Sequence, residues 1–207
     1  MADKRVEKTL GLIKKTFFEI TKTNGRSNPT VKEICEAANI NRSTFYQYYD
    51  GIDDLRDKLE TEAANKMHEV FLTYKFDTYT EETIIAQLTR IKEHDDEAFL
   101  LFSENSSQKG IHILYEKVKE STLPGWRKVS DSDFDDFTAE IIFKYTMAGI
   151  FALLKEWYLN YDDNEKEAFA KVYGDVLKYG LYYFVYTKNI ASMDKESVES
   201  CPPTLND

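Results

Sequence analysis

Apolar residues recur along this chain at steps of three and four, with few interruptions. Val6, Leu10, Ile13, Phe17 and Ile20 make one such stripe, which predicts an amphipathic helix over 3–23. The stretch TNGRSNP then stops it, with Asn24-Gly25 as a helix stop and Asn28-Pro29 as a turn. Ile34 with Ala37 or Ala38 gives a short second stripe, and a third, very short helix is expected over 42–48. Ile52, Leu55, Leu59, Ala63, Met67 and Val70 predict a long fourth helix to about residue 74. Three more helices are expected at 81–94, 96–105 and 109–121, followed by a connection over STLPGWRKVSDSD.

Two long helices close the pattern. The first, about 132–160, carries two stripes: Phe134, Phe137, Ile141, Tyr145, Ala148, Ala152 on one flank, and Ile142, Thr146, Gly149, Leu153, Trp157 on another. A helix apolar on two flanks is expected between two layers. The second, about 165–188, places Phe169, Val172, Val176, Tyr179, Tyr183 and Tyr186 at helix-seam spacing. No period-two run long enough for a strand appears, so the fold expected is all-α with about nine helices. Three units follow: 1–50 as a head, 51–190 as a body, and 191–207 as a disordered tail rich in Ser, Glu, Pro and Asp.

The densest local signals lie in TVKEICEAANINRSTFYQYYDGIDDL, residues 30–55. Thr30 with Glu33 three residues on has capping-box spacing. Asn39 tolerates the left-handed backbone of a tight turn, and Asn41 is a good N-cap. Two short helices joined by such a turn form a helix-turn-helix unit, whose second helix enters the major groove. The chemistry fits. Thr30 and the free N–H groups beside it suit a phosphate. Arg42, Ser43 and Thr44 stand where side chains reach base edges, and Arg42 can pair bidentately with guanine. Tyr46 and Tyr48, flanking Gln47, add hydroxyls for the DNA backbone, while Phe45 and Tyr49 are expected to face inward as anchors.

These residues carry a resemblance. The segment resembles the DNA-binding domain of TetR-family transcriptional regulators, whose pattern runs T-x-x-x-I-A-x-x-A-G-V-S, three variable residues, then L/F-Y-x-H/Y-F and K-x-x-L. The match consists of Thr30, Ile34, Ala38, Ile40, Phe45, Tyr46, Tyr48, Tyr49 and Leu55, with Cys35, Asn39 and Asn41 replacing small Ala, turn Gly and capping Ser. Where the pattern often has Lys, this chain has Ile52. The detailed resemblance covers about 5–56. It implies a homodimer on double-stranded operator DNA, more often a repressor than an activator, held together by the last two helices. Gly149, Leu153, Phe169, Val172, Val176, Tyr179 and Tyr183 are the residues expected at that interface. It also implies an inducer pocket among the middle helices, for which Phe99, Phe102, Tyr115, Tyr145 and Trp157 are the aromatic candidates. No cofactor is implied beyond such a small-molecule effector.

Charge sharpens the picture. The net charge is -10 over 207 residues, yet 1–50 hold nine Lys/Arg against six Asp/Glu, leaving the body and tail at -13. A basic head on an acidic body places one end against phosphate. If the acidity reaches the pocket, cationic ligands gain. His68, His94 and His112 lack metal-site spacing, and the paired acids at 95–96, 135–136 and 162–163 open helices. No catalytic fingerprint is found, so an enzyme is not expected. Two cysteines, no signal-peptide pattern and no run of about 18 apolar residues lead to the expectation of a reducing cytoplasm and no membrane. The alternative is a helical adaptor that works through protein contacts with the body.

Overall fold

The computed structural model describes residues 4–24, 29–72, 80–104, 106–129 and 135–177. The described residues are all-α, with nine helices and no strand. They are α1 (Lys4–Asn24), α2 (Val31–Ala37), α3 (Arg42–Phe45), α4 (Ile52–Leu72), α5 (Glu81–Glu93), α6 (Asp95–Phe102), α7 (Gln108–Val129) and α8 (Asp136–Asn160). A ninth, α9, follows a 3-10 turn at Asp163–Glu165 and is helical over 166–177. The expected tail at 191–207, and Phe134, Tyr179 and Tyr183, lie outside the described residues.

Local chemistry starts several of these helices. Thr80 and Thr83 form a reciprocal hydroxyl–backbone cap at α5. The Asp135 carboxylate accepts the Thr138 N–H at 2.8 Å at the start of α8, and Asp162 with Glu165 caps the turn before α9. The paired acids thus sit at helix starts, where the dipole favours negative charge.

One continuous apolar core runs from α1 to α9, joining Ile13 and Phe17 of α1 to Ile34, Phe45, Leu55, Met67, Leu88, Phe102, Leu114, Phe143 and Trp157. Helix α4 is its spine. Leu55 is fully buried near the head end, and Ala63, Ala64, Met67 and Val70 are fully buried further along. α4 packs most extensively against α6 and α7. Gly110 permits the close approach of α7, since a Cβ there would meet Leu101 Cδ2 at 2.7 Å and Glu60 Cβ at 3.4 Å. Beside that approach, Glu60 is buried on α4, bonded by Arg56 Nε at 2.6 Å and by the Ser107 hydroxyl at 2.6 Å. Burying a carboxylate is tolerable only with such partners.

Two expectations need correction. The connection expected from residue 121 is helical as far as Val129, so α7 contains Pro124. Proline removes one helical N–H and crowds the preceding turn, yet the helix continues through it, with Leu123 beside it buried in the core. The second concerns α8. It is not covered on both flanks. Ala139, Phe143, Met147, Ile150, Leu154 and Trp157 form its buried flank, whereas Phe137 is 73% exposed, Ile141 49% and Tyr145 77%. Ala148, Gly149 and Ala152 are exposed too. By length and composition α8 is the one helix among the described residues that could cross a membrane, with 28% of its apolar window buried. One core flank plus one bare apolar flank accounts for that composition.

Candidate nucleic-acid interface

Helix α2 starts at a complete capping box. The Glu33 N–H donates to Thr30 Oγ1 at 3.2 Å, and the Thr30 N–H donates to Glu33 Oε2 at 2.7 Å. The Thr30 hydroxyl also donates to Glu33 Oε2, at 2.8 Å. Thr30 is exposed, but its hydroxyl reaches a phosphate only by exchanging this carboxylate for it.

The helix ends as a Schellman turn. The Ile40 N–H donates to the Cys35 carbonyl at 3.0 Å and the Asn39 N–H to the Glu36 carbonyl at 3.3 Å. That geometry requires a left-handed residue after the cap, and Asn39 is it, at φ 50°. The Asn41 carbonyl then accepts from Thr44 N–H at 2.9 Å and Phe45 N–H at 3.2 Å. Asn41 stands at the N-cap with extended backbone, but its side chain makes no capping bond, so its expected side-chain role is absent.

Helix α3 is shorter than the 42–48 expected. Regular helix stops at Phe45, and hydrogen-bonded turns carry the chain on, with Tyr49 N–H donating to the Phe45 carbonyl at 3.1 Å. A 100° step per residue places Arg42, Ser43, Tyr46 and Gln47 within about 140° of each other. All four are exposed, Tyr46 at 55%. Phe45 is fully buried and Tyr49 nearly so, their rings 5.4 Å apart. Thr44 and Tyr48 are half-buried at the edge between the two faces. A helix this short has no stability of its own, so the aromatic anchors hold the exposed face in place.

Helix α4 ties down the other end. Lys58 Nζ donates to Asp54 Oδ2 at 2.8 Å and to the Tyr48 carbonyl at 3.2 Å, and lies 5.1 Å from the Tyr49 ring centroid. The Lys58 hydrogen bond, with a second from the Asp50 N–H, holds the Asp54 carboxyl below its ordinary range. Ile52 is half-buried and packs against the core. Burial pushes the Cys35 thiol up, outweighing the attraction of Arg42.

The expected effector aromatics fall in different surroundings. An open cleft of about 970 Å³ lies where α6, α7 and α8 meet, and of the five only Phe102 and Tyr115 line it. Phe99 is half-buried beside Lys22. Tyr145 stands on the bare flank of α8, and Trp157 is fully buried in the core. The Trp157 indole N–H donates to the Leu88 carbonyl at 3.4 Å and its ring meets Phe169 at 5.2 Å, so it joins α5, α8 and α9. Trp157 falls on the covered flank of α8 and Tyr145 on the bare one.

Sequence reading missed the cleft's polar residues, Glu104, Ser106, Ser107, Gln108, Lys109, His112 and Lys155. Lys155 falls on neither apolar stripe of α8, so periodicity gave no signal for it. Of the expected interface residues, Gly149 and Val172 are exposed, Leu153 and Val176 half-buried, and Phe169 packs on Trp157 and Tyr173. Among the described residues no group of three or more His, Cys, Asp or Glu could hold a metal ion. No family model, curated protein or solved structure matches this chain.

Proposed function

We propose that this protein is a DNA-binding transcriptional regulator of TetR-like type, acting as a homodimer. One observation carries the reading. Arg42, Ser43, Tyr46 and Gln47 share an exposed face on a short helix and the turn that continues it, after a capped helix and a left-handed turn at Asn39. That is the arrangement a major-groove reader needs: base-reading donors outward, aromatic anchors inward, and register set by backbone contacts. One recognition helix binds weakly, and a two-fold pair on half-sites one turn apart, roughly 34 Å, is the usual remedy. The bare flank of α8, with Phe137, Ile141 and Tyr145, supplies an apolar face for the second copy. Effector control follows from the connection of the cleft to α4. Ser107 and Lys109 line the cleft and also bind Glu60 and Asp57 of α4, at 2.6 Å and 2.5 Å. A ligand that disturbs either contact acts on the helix that leads to the head.

The test is DNA binding to the protein's own upstream region, titrated across salt. Specific binding should weaken steeply with salt as counterions are released, by about 0.9 log units per log unit of salt for each phosphate contacted. Arg42→Ala should relax base preference and cost roughly 1–3 kcal/mol. Tyr46→Phe should weaken all sequences alike. Absence of specific binding at low salt would overturn the regulator reading. The adaptor alternative would then gain, because the same bare α8 flank suits an apolar protein partner.

A further inference from the structure

The cleft at α6, α7 and α8 does not share the acidity of the residues around it. Residues beyond 50 carry -13, yet the charged side chains lining the cleft are Lys109 and Lys155 against the single acid Glu104. Lys109 is paired with Asp57 at 2.5 Å. Lys155 has no ion-pair partner among the described residues and is exposed at the mouth. Behind these groups the walls are apolar and aromatic: Phe102 from α6, Ile111 and Tyr115 from α7, and Phe151 from α8.

We propose that this cleft binds an amphipathic organic carboxylate, its apolar body between Phe102, Ile111, Tyr115 and Phe151 and its carboxylate at Lys155. A cation in the same pose would meet Lys155 with only Glu104 to offset it. A neutral apolar molecule would fill the walls but leave the mouth's donors, Ser106 and Lys155 among them, to water. In an open cleft the apolar contact supplies most of the affinity, and the charge decides which molecule is preferred. The proposal rests on the regulator reading only in calling this ligand an effector. Binding itself requires no DNA.

Three molecules with one apolar body separate the possibilities: 4-phenylbutyrate, 4-phenylbutanol and 4-phenylbutylamine, titrated calorimetrically into the full chain without DNA. The carboxylate should bind on the order of tenfold more tightly than the amine, with the alcohol between. Lys155→Glu should reverse that order, and Lys144→Gln, on the same helix away from the cleft, should leave it unchanged. Both lysines are exposed, and helical circular dichroism verifies that each variant folds. Ala152→Trp, which fills the cleft, should abolish binding of all three. An amine bound as well as the carboxylate, a Lys155→Glu variant with unchanged preference, or no binding by any probe overturns the proposal. Carboxylate binding by a chain that fails to bind DNA would leave this site standing and remove the regulator reading. Specific DNA binding with no carboxylate binding would do the reverse.

Discussion

Asn39 sits at φ 50°, a conformation that costs most L-residues roughly 1–2 kcal/mol and Asn or Gly much less. The turn between α2 and α3 cannot form without it, because the Ile40 N–H to Cys35 carbonyl bond depends on that reversal. Asn39→Ala should lower unfolding stability by about 1 kcal/mol, and Asn39→Gly should match or exceed the wild type. Chemical denaturation measures both, and equal stabilities for Ala and Gly would show that the turn is not under this constraint. Residue roles of this kind were legible beforehand. Thr30 and Glu33, and Asn39, act on atoms within four residues of themselves. Asn41 is the exception: its position at the N-cap was readable, but whether its side chain bonds there depends on a rotamer that spacing does not set.

Among the elements, α1 is fastened to the body by a contact that no local pattern could reveal. Lys22 Nζ donates to Asp95 Oδ2 at 2.5 Å and Asp96 Oδ1 at 2.6 Å at the start of α6. The Tyr158 hydroxyl of α8 donates to Asp95 Oδ1 at 2.8 Å. Burial alone would lower the Lys22 pKa, but the bonds to Asp95 and Asp96 outweigh it and raise it above 10.5. Burial would raise Asp95, and the bonds from Lys22 and Tyr158 outweigh that and lower it below 3.8. The signs set a window. Asp95 stabilises the fold above its ordinary carboxylate range, and that contribution is lost as pH falls through its depressed folded value. Lys22 stabilises below 10.5 and loses its contribution as pH rises through its raised value. Between these limits the contact is intact. Lys22→Met should therefore speed amide exchange in α1 relative to α4 at neutral pH, and the difference should shrink as pH falls through the depressed Asp95 range and both proteins lose the carboxylate. Unchanged α1 exchange at neutral pH would show that the contact does not restrain the head.

At the scale of the molecule, the bare flank of α8 is the outstanding feature. Phe137, Ile141 and Tyr145 are large apolar or aromatic side chains left open on one helix face, which monomeric soluble proteins rarely display. Sedimentation equilibrium should find a dimer at micromolar concentration. Ile141→Glu combined with Tyr145→Glu should convert it to a folded monomer, because neither side chain belongs to the buried flank. DNA affinity should fall with the dimer. A double variant that remains dimeric would direct the interface to another surface, and Val172 of α9, 53% exposed, would be the next position to change.

The sequence by itself determined the all-α class, the order of the helices and the main caps and turns of residues 30–49. Caps, turns and apolar periods are set by residues one to four positions apart, and those distances are written in the chain. It also placed Phe45 and Tyr49 inward, since a helix of this length needs anchors. Only the tertiary structure decided which flank of α8 is covered. The covered flank runs through Ala139, Phe143, Met147, Ile150 and Leu154 and shares only Trp157 with the two stripes read from the sequence, because the choice depends on what α5, α6 and α7 present to α8. The same packing put Trp157 in the core and Tyr145 outside. It also carried α7 through Pro124, and it brought Lys22 to Asp95 across 73 positions. It gave an acidic body a cleft bordered by lysines, because the charge of a site is set by the few side chains that converge on it, not by the sum along the chain.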